Sequence, residues 1–196
     1  MPTCLGTVYN YSQYAKNIME WFDISKFSTD IGFTLIIFFL GMGAATFGRM
    51  VELNPKRMAC ISTILFFIGM MLVFCSLQFH LLPLYYVGCS FMGCGTGIGY
   101  VSPIKQLLSN FADHKGLASG LAITGFGLGK FVAAPAIEYL LTAVSLPTMF
   151  LVLAVAFLLI MSVCSWLFKP NPAFISTVYT AIPISTLVKY TFLTKQ

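Results

Sequence analysis

Long apolar runs separated by short polar stretches dominate the chain. A helix needs about 20 apolar residues to cross a bilayer, and five runs approach or exceed that length: residues 31–48, 58–79, 84–109, 117–141 and 147–168. A shorter run at residues 5–18 predicts part of a sixth helix. The pattern therefore predicts an all-α fold, a polytopic transmembrane bundle of about six helices in residues 1–170.

The polar tail, residues 171–196, differs from the rest of the chain. It is rich in Ser, Thr and Pro, and Pro172 and Pro183 are placed to interrupt helices. We expect it to be a cytosolic linker and not a further span.

Composition strengthens the membrane interpretation. Hydrophobic residues make up 58% of the 196 residues and charged residues 9%, against about 25% charged in an ordinary soluble domain. The mean hydropathy is +0.88. These values exclude a disordered chain and argue against a soluble globule, so we expect an integral, multi-pass protein whose principal partner is the lipid bilayer. The composition does not indicate which membrane.

The net charge of +5 reflects topology. Basic residues concentrate in residues 49–57, near residues 110–116 and after residue 168, whereas the alternate loops carry few of them. The positive-inside rule therefore predicts that these three regions are cytosolic. No nucleic-acid partner is expected.

The sequence offers no sign of catalysis. Its six cysteines are scattered through apolar runs, without the paired spacing of a zinc site or a disulfide framework. No predicted span carries facing His, Asp, Glu or Ser residues at catalytic spacing. We therefore expect no enzyme, no catalytic residue, no metal and no cofactor.

Glycines predict close helix packing. Gly93 with Gly97, and Gly95 with Gly99, form two small-xxx-small pairs about 200° apart around one helix. Neighbouring helices can then approach that helix on two sides. The packing glycines expected on this helix and the next are Gly93, Gly95, Gly97, Gly99, Gly125 and Gly129.

Three segments carry a family resemblance. The stretch GIGYVSPIKQLLSNFADHKGLASGLAITGFGLGKFVAAP, residues 97–135, closely resembles helices 4 and 5 of the oxalate/formate antiporter-like branch of the major facilitator superfamily, and it is similar to monocarboxylate transporters. GRMVELNPKR, residues 48–57, resembles the superfamily's loop 2-3 signature, although Leu53 and Pro55 depart from it. LGTVYNYSQY, residues 5–14, resembles the second half of the first helix.

The resemblance implies a fold of twelve helices in two halves, with substrate held between the halves near the midplane. On that layout the chain is an N-terminal half with a truncated first helix. The implied function is transport of small organic anions, monocarboxylates or oxalate and formate, by alternating access as an antiporter or symporter. The chain would be part of a larger or paired transporter, joined to a second half or to itself. The alternative is a non-transporting truncated half or a modulatory membrane protein.

Three residues are candidates to face the substrate. Lys130 lies about 20 Å from the inner end of its helix, near the bilayer centre, where an unpaired charge costs at least about 3 kcal/mol. It can serve as counter-charge for a carboxylate, contact a partner, or have no function. Tyr9 and Tyr100 are the other candidates, and tyrosines of the first helix can instead form an interfacial belt.

A second set of candidates lies at the cytosolic loops. The basic members can be simple positive-inside anchors, or the set can form ion pairs that latch one conformation. Lys105 is expected to snorkel to the interface. The residues expected to form this latch are Gly48, Arg49, Glu52, Lys56, Arg57 and Asp113.

Overall fold

The computed structural model describes residues 1–110 and 115–167 of the chain. The predicted latch residue Asp113 and the tail 171–196 lie outside the described residues. The described elements are α1 (Pro2–Leu5), a 3₁₀ segment (Gly6–Asn10), α2 (Tyr11–Phe22), α3 (Lys26–Leu53), α4 (Pro55–Phe79), α5 (Leu82–Asn110), α6 (Lys115–Ala143) and α7 (Leu146–Leu167). The described part contains no strand, and the prediction of an all-α bundle of about six helices is confirmed.

The first three elements follow one another without a break and are here called the first helix. Its helical structure extends beyond the apolar run 5–18 at both ends. The 3₁₀ segment interrupts the α-helical geometry, and Asn10 at its end has φ −82° and ψ 3°, in the sparsely populated bridge region. A stretch of 3₁₀ helix within a longer helix often marks a functional or strained position.

Local sequence signals set several helix ends. Ser25 caps α3, because its side chain accepts a hydrogen bond from the Ser28 backbone N–H at 3.3 Å. Pro55 begins α4, where its missing N–H costs nothing. Asp23 and His80 end α2 and α4 in the left-handed conformation. The turns at these last two residues lie at the end of the bundle that the charge pattern predicts to be outside, here called the outer end.

Four described helices are long and apolar enough to cross a membrane: Lys26–Leu53, Pro55–Phe79, Ser119–Ala143 and Leu146–Leu167. Helix α5 is of similar length, with 29 residues. These helices indicate an integral membrane protein.

Helix α5 lies between α3 and α4, and α7 packs on the other side of α4. Helix α6 contacts mainly α1 and the 3₁₀ segment. A large part of α6 is therefore exposed. This arrangement leaves the first helix flanked by α3 and α6, and that face holds the candidate site.

Candidate functional site

Glycines bring the helices around the site into backbone contact. Gly129 of α6 lies against Gly6 of the first helix, where an added Cβ would lie 2.9 Å from the Gly6 Cα. On α5, Gly93 and Gly97 lie against the backbone of α3, while Gly95 lies against Phe66 of α4.

The two glycine pairs of α5 thus face different neighbours. Gly99 points toward the Ser62 hydroxyl and Leu5, and the Ser62 hydroxyl donates to the Gly95 carbonyl oxygen at 2.7 Å. The remaining glycine of the predicted packing set, Gly125, is half-buried on α6. Backbone contact on two sides of α5 sets the positions of α3 and α4 relative to α5.

Three aromatic rings meet where the first helix, α5 and α6 converge. The Tyr9 ring stands edge-on to Phe126, with centroids 5.6 Å apart, and the Tyr100 ring approaches the same phenylalanine at 4.8 Å. Together with Leu40 and Ile123 they line a cavity of about 370 Å³, here called the central cavity. The candidates Tyr9 and Tyr100 thus both contact Phe126, a residue that the sequence did not identify as a candidate.

Lys130 lies one helical turn beyond Phe126 on α6, and its side chain is exposed. It is 15 residues after Lys115 in a helix of 29 residues, which places it about 22 Å along the axis, at the midpoint. Within the described residues it forms no ion pair. It does not line the central cavity, although Phe126, one helical turn before it, does.

Asn10 connects the first helix to this position. Its side chain is fully buried, and its Nδ2 donates to the Lys130 carbonyl oxygen at 3.4 Å. Its Oδ1 has no hydrogen-bond partner among the described residues. A buried amide oxygen without a partner is destabilising by about 1–3 kcal/mol, so this position favours contact with another polar group.

A larger cavity of about 590 Å³, here called the outer cavity, lies between α2 and the first half of α3. Tyr9 lines both this cavity and the central one. The outer cavity combines aromatic, hydroxyl and charged side chains, and the main ones are Tyr9, Ser12, Lys16, Lys26, Asp30 and Phe33.

Tyrosine hydroxyls join the first turn of α2 to the outer ends of α3 and α5. The Tyr11 hydroxyl donates to the Thr29 carbonyl oxygen and lies 2.6 Å from the Tyr85 hydroxyl. The Tyr86 hydroxyl donates to the Ser28 carbonyl oxygen at 3.0 Å. Tyr11 is buried, so among these tyrosines it has a structural role, whereas Tyr9 is 44% exposed toward the cavities.

The predicted latch residues lie at the opposite end. Glu52, in the last turn of α3, forms an ion pair with Lys105 of α5. The side chains are 29% and 33% exposed, so Lys105 has a defined partner in addition to any contact with the membrane surface. Arg49, Lys56 and Arg57 are exposed around the α3–α4 turn, and Gly48 faces open space.

Sequence reasoning missed several of these features. Glu52 and Lys105 are 53 residues apart, so no local pattern could pair them. Asn10 carried a usable signal, since an amide within an apolar run predicts a buried polar contact. The outer cavity depends on how α2 and α3 diverge, which the sequence does not specify.

The fold and site define a class: a polytopic membrane protein whose helices pack through glycine, with a polar, aromatic-lined face at mid-membrane. The family model described as Major Facilitator Superfamily matches residues 4–188. Since the match covers most of the chain, this protein belongs to the Major Facilitator Superfamily. Proteins of this superfamily are membrane transporters.

One curated relative is named the uncharacterized MFS-type transporter YhjX, from Escherichia coli (strain K12). It is 27% identical over 127 residues, which are 64% of this chain and 31% of the relative. The matched part thus spans about a third of the relative's length.

Proposed function

We propose that this chain forms one half of a carrier of small organic anions, monocarboxylates or oxalate and formate, that works by alternating access. The observation that carries the proposal is Lys130, an exposed cation at the midpoint of α6. A charge at this depth is stable only if it faces protein or water. Its ammonium group can bind a carboxylate, and Tyr9 and Tyr100, which contact Phe126 one helical turn before Lys130, offer aromatic surface with hydroxyl groups.

The exposed face of α6 supports pairing with a second half. Gly120 and Gly127 face open space, and Thr124, Lys130 and Glu138 are exposed on the same helix. Small residues on an exposed helix face allow another helix to pack closely, and charged residues there are unfavourable toward lipid. A second half, or a second copy of this chain, would cover this face and enclose the cavities.

The proposed latch belongs to the same mechanism. The ion pair of Glu52 with Lys105 ties the inner ends of α3 and α5. In alternating access, such contacts hold one conformation and are released in the other. The exposed Arg49 and Lys56 can contact a second half at this end. The superfamily match favours this transport function over the non-transporting alternative.

Transport by the reconstituted chain tests the proposal. Uptake of radiolabelled oxalate, formate and lactate into proteoliposomes is measured for the 196-residue chain, for Lys130→Met and for Lys130→Arg. We expect saturable uptake of at least one anion. The uptake rate should fall at least tenfold in Lys130→Met and be largely retained in Lys130→Arg. Equal uptake in all three proteins would contradict the role of Lys130. Absence of saturable uptake by the unmodified chain would contradict pairing of the chain with itself.

A further inference from the structure

The outer cavity changes in chemical character along its length. Lys26 and Asp30 lie in the first turns of α3, at the outer end, and Lys16 lies on α2. Phe33 is seven residues after Lys26, and Tyr9 is seven residues before Lys16, so each ring lies about 10 Å deeper than the lysine on its own helix. Since Lys16 is itself seven residues before the outer turn at Asp23, Lys26 and Asp30 lie at the mouth of the cavity, Lys16 and Phe33 lie about 10 Å deeper, and Tyr9 lies at its base.

Two lysines of the outer cavity, Lys16 and Lys26, are available to a ligand. Lys16 lies 3.8 Å from the Glu20 carboxylate, but both side chains are exposed, at 79% and 64%, and such pairs contribute little. Lys26 is exposed and forms no ion pair within residues 1–110 and 115–167. The two ammonium groups favour an anion, and the carboxylates of Asp30 and Glu20 near them disfavour a second negative charge on that anion.

The size of the cavity points to a ligand larger than oxalate or formate. Its volume of about 590 Å³ lies within the range of roughly 300–1,000 Å³ that is typical of small-molecule sites. A carboxylate of one or two carbons would leave most of the aromatic base uncovered. An apolar body against Tyr9 and Phe33 would remove that surface from water.

We infer that the outer cavity binds an organic monoanion with an aromatic or apolar body, its carboxylate near Lys16 and Lys26 and its body against Tyr9 and Phe33. The inference deepens the proposed function and rests on it for the further statement that the bound anion is carried. Because Tyr9 lines both cavities, an anion at its ring lies at the boundary between the outer cavity and the central cavity.

Equilibrium binding tests the inference without requiring transport. The 196-residue chain is placed in nanodiscs of phosphatidylcholine, and benzoate, its neutral isostere benzamide, and formate are titrated by saturation-transfer NMR. We expect benzoate to bind at least fivefold more tightly than either of the others. Lys16→Gln and Lys26→Gln should each raise the Kd of benzoate about two- to fivefold, the range expected for an exposed charge contact.

Removing the charge of Asp30 should change the Kd of benzoate in the opposite direction to the lysine substitutions, and Asp23 offers a matched control. Asp30→Asn should lower the Kd of benzoate by a similar factor, because it removes a negative charge from the cavity. Asp23→Asn removes the same charge at the same end of the bundle but outside the cavity, and it should leave the Kd nearly unchanged. All four substituted side chains are exposed, so the helical circular dichroism of the variants should match that of the unmodified chain.

Several results would overturn the inference. Equal affinities for benzoate and benzamide, no effect of either lysine substitution, or equal effects of Asp30→Asn and Asp23→Asn would each do so. Loss of benzoate binding when phosphatidylglycerol is included in the nanodiscs would assign the cavity to lipid headgroups instead. Benzoate binding as expected without any uptake would leave the site standing and refute the proposed carrier function, whereas uptake without benzoate binding would do the reverse.

Discussion

Alanine substitutions at two glycines of α6, Gly127 and Gly129, test how closely α6 packs on the first helix. A Cβ added at Gly129 would lie 2.9 Å from the Gly6 Cα and closer still to the Thr3 carbonyl oxygen, whereas a Cβ added at Gly127 would meet no atom within 4 Å. Gly129→Ala and Gly127→Ala therefore add the same methyl group to the same helix in different surroundings.

The expected difference in stability follows from this contrast. Both substitutions gain about 1 kcal/mol from the higher helix propensity of alanine. At Gly129 the contact of 2.9 Å must lengthen to about 3.5 Å, so the two helices must separate by at least about 0.6 Å. Overpacking of this kind typically costs about 1–3 kcal/mol. Because the propensity gain is common to both variants, Gly129→Ala should be about 1–3 kcal/mol less stable than Gly127→Ala.

Thermal unfolding in detergent micelles, followed by helical circular dichroism, measures this difference. One kcal/mol corresponds to about 2–4 °C in Tm for a chain of this size, so the Tm of Gly129→Ala should lie about 2–12 °C below that of Gly127→Ala. Equal Tm values for the two variants would refute the close backbone approach of α6 to the first helix.

Two further predictions concern contacts between helices. A double-mutant cycle with Glu52→Gln and Lys105→Met should give a coupling energy below about 1 kcal/mol, because both side chains are partly exposed. Tm values measured at low and at high salt should show that this coupling weakens as the salt concentration rises. A coupling energy that does not change with salt would argue against an ion pair. Tyr11→Phe removes a buried hydroxyl that donates to the Thr29 carbonyl oxygen and should destabilise the protein by about 1–2 kcal/mol. Tyr86→Phe removes the hydroxyl of a half-buried side chain and should destabilise the protein less than Tyr11→Phe in the same unfolding assay. A larger loss of stability in Tyr86→Phe would contradict the greater burial of Tyr11.

The sequence carried much of the fold because helices are specified locally. Long apolar runs with few charges can satisfy their backbone hydrogen bonds in a membrane only as helices. The five apolar runs that begin with residues 31–48 were therefore enough to predict the all-α bundle. The resemblance carried by residues 97–135 led to the superfamily that the family match established. The glycine spacing of α5 also pointed to two packing faces before any neighbour was known.

The tertiary structure decided which of these residues have partners. Gly127 and Gly129 are the same residue type on one helix, yet only the second meets another backbone, because α6 turns one face to the first helix and leaves the other open. Glu52 of α3 forms an ion pair with Lys105 of α5, and Lys16 of α2 and Lys26 of α3 line one cavity. In both cases the two side chains come from different helices and are brought together by helix packing. Periodicity determines which residues share a helix face, but contact between two faces depends on helix crossings, which are set by packing of the whole bundle.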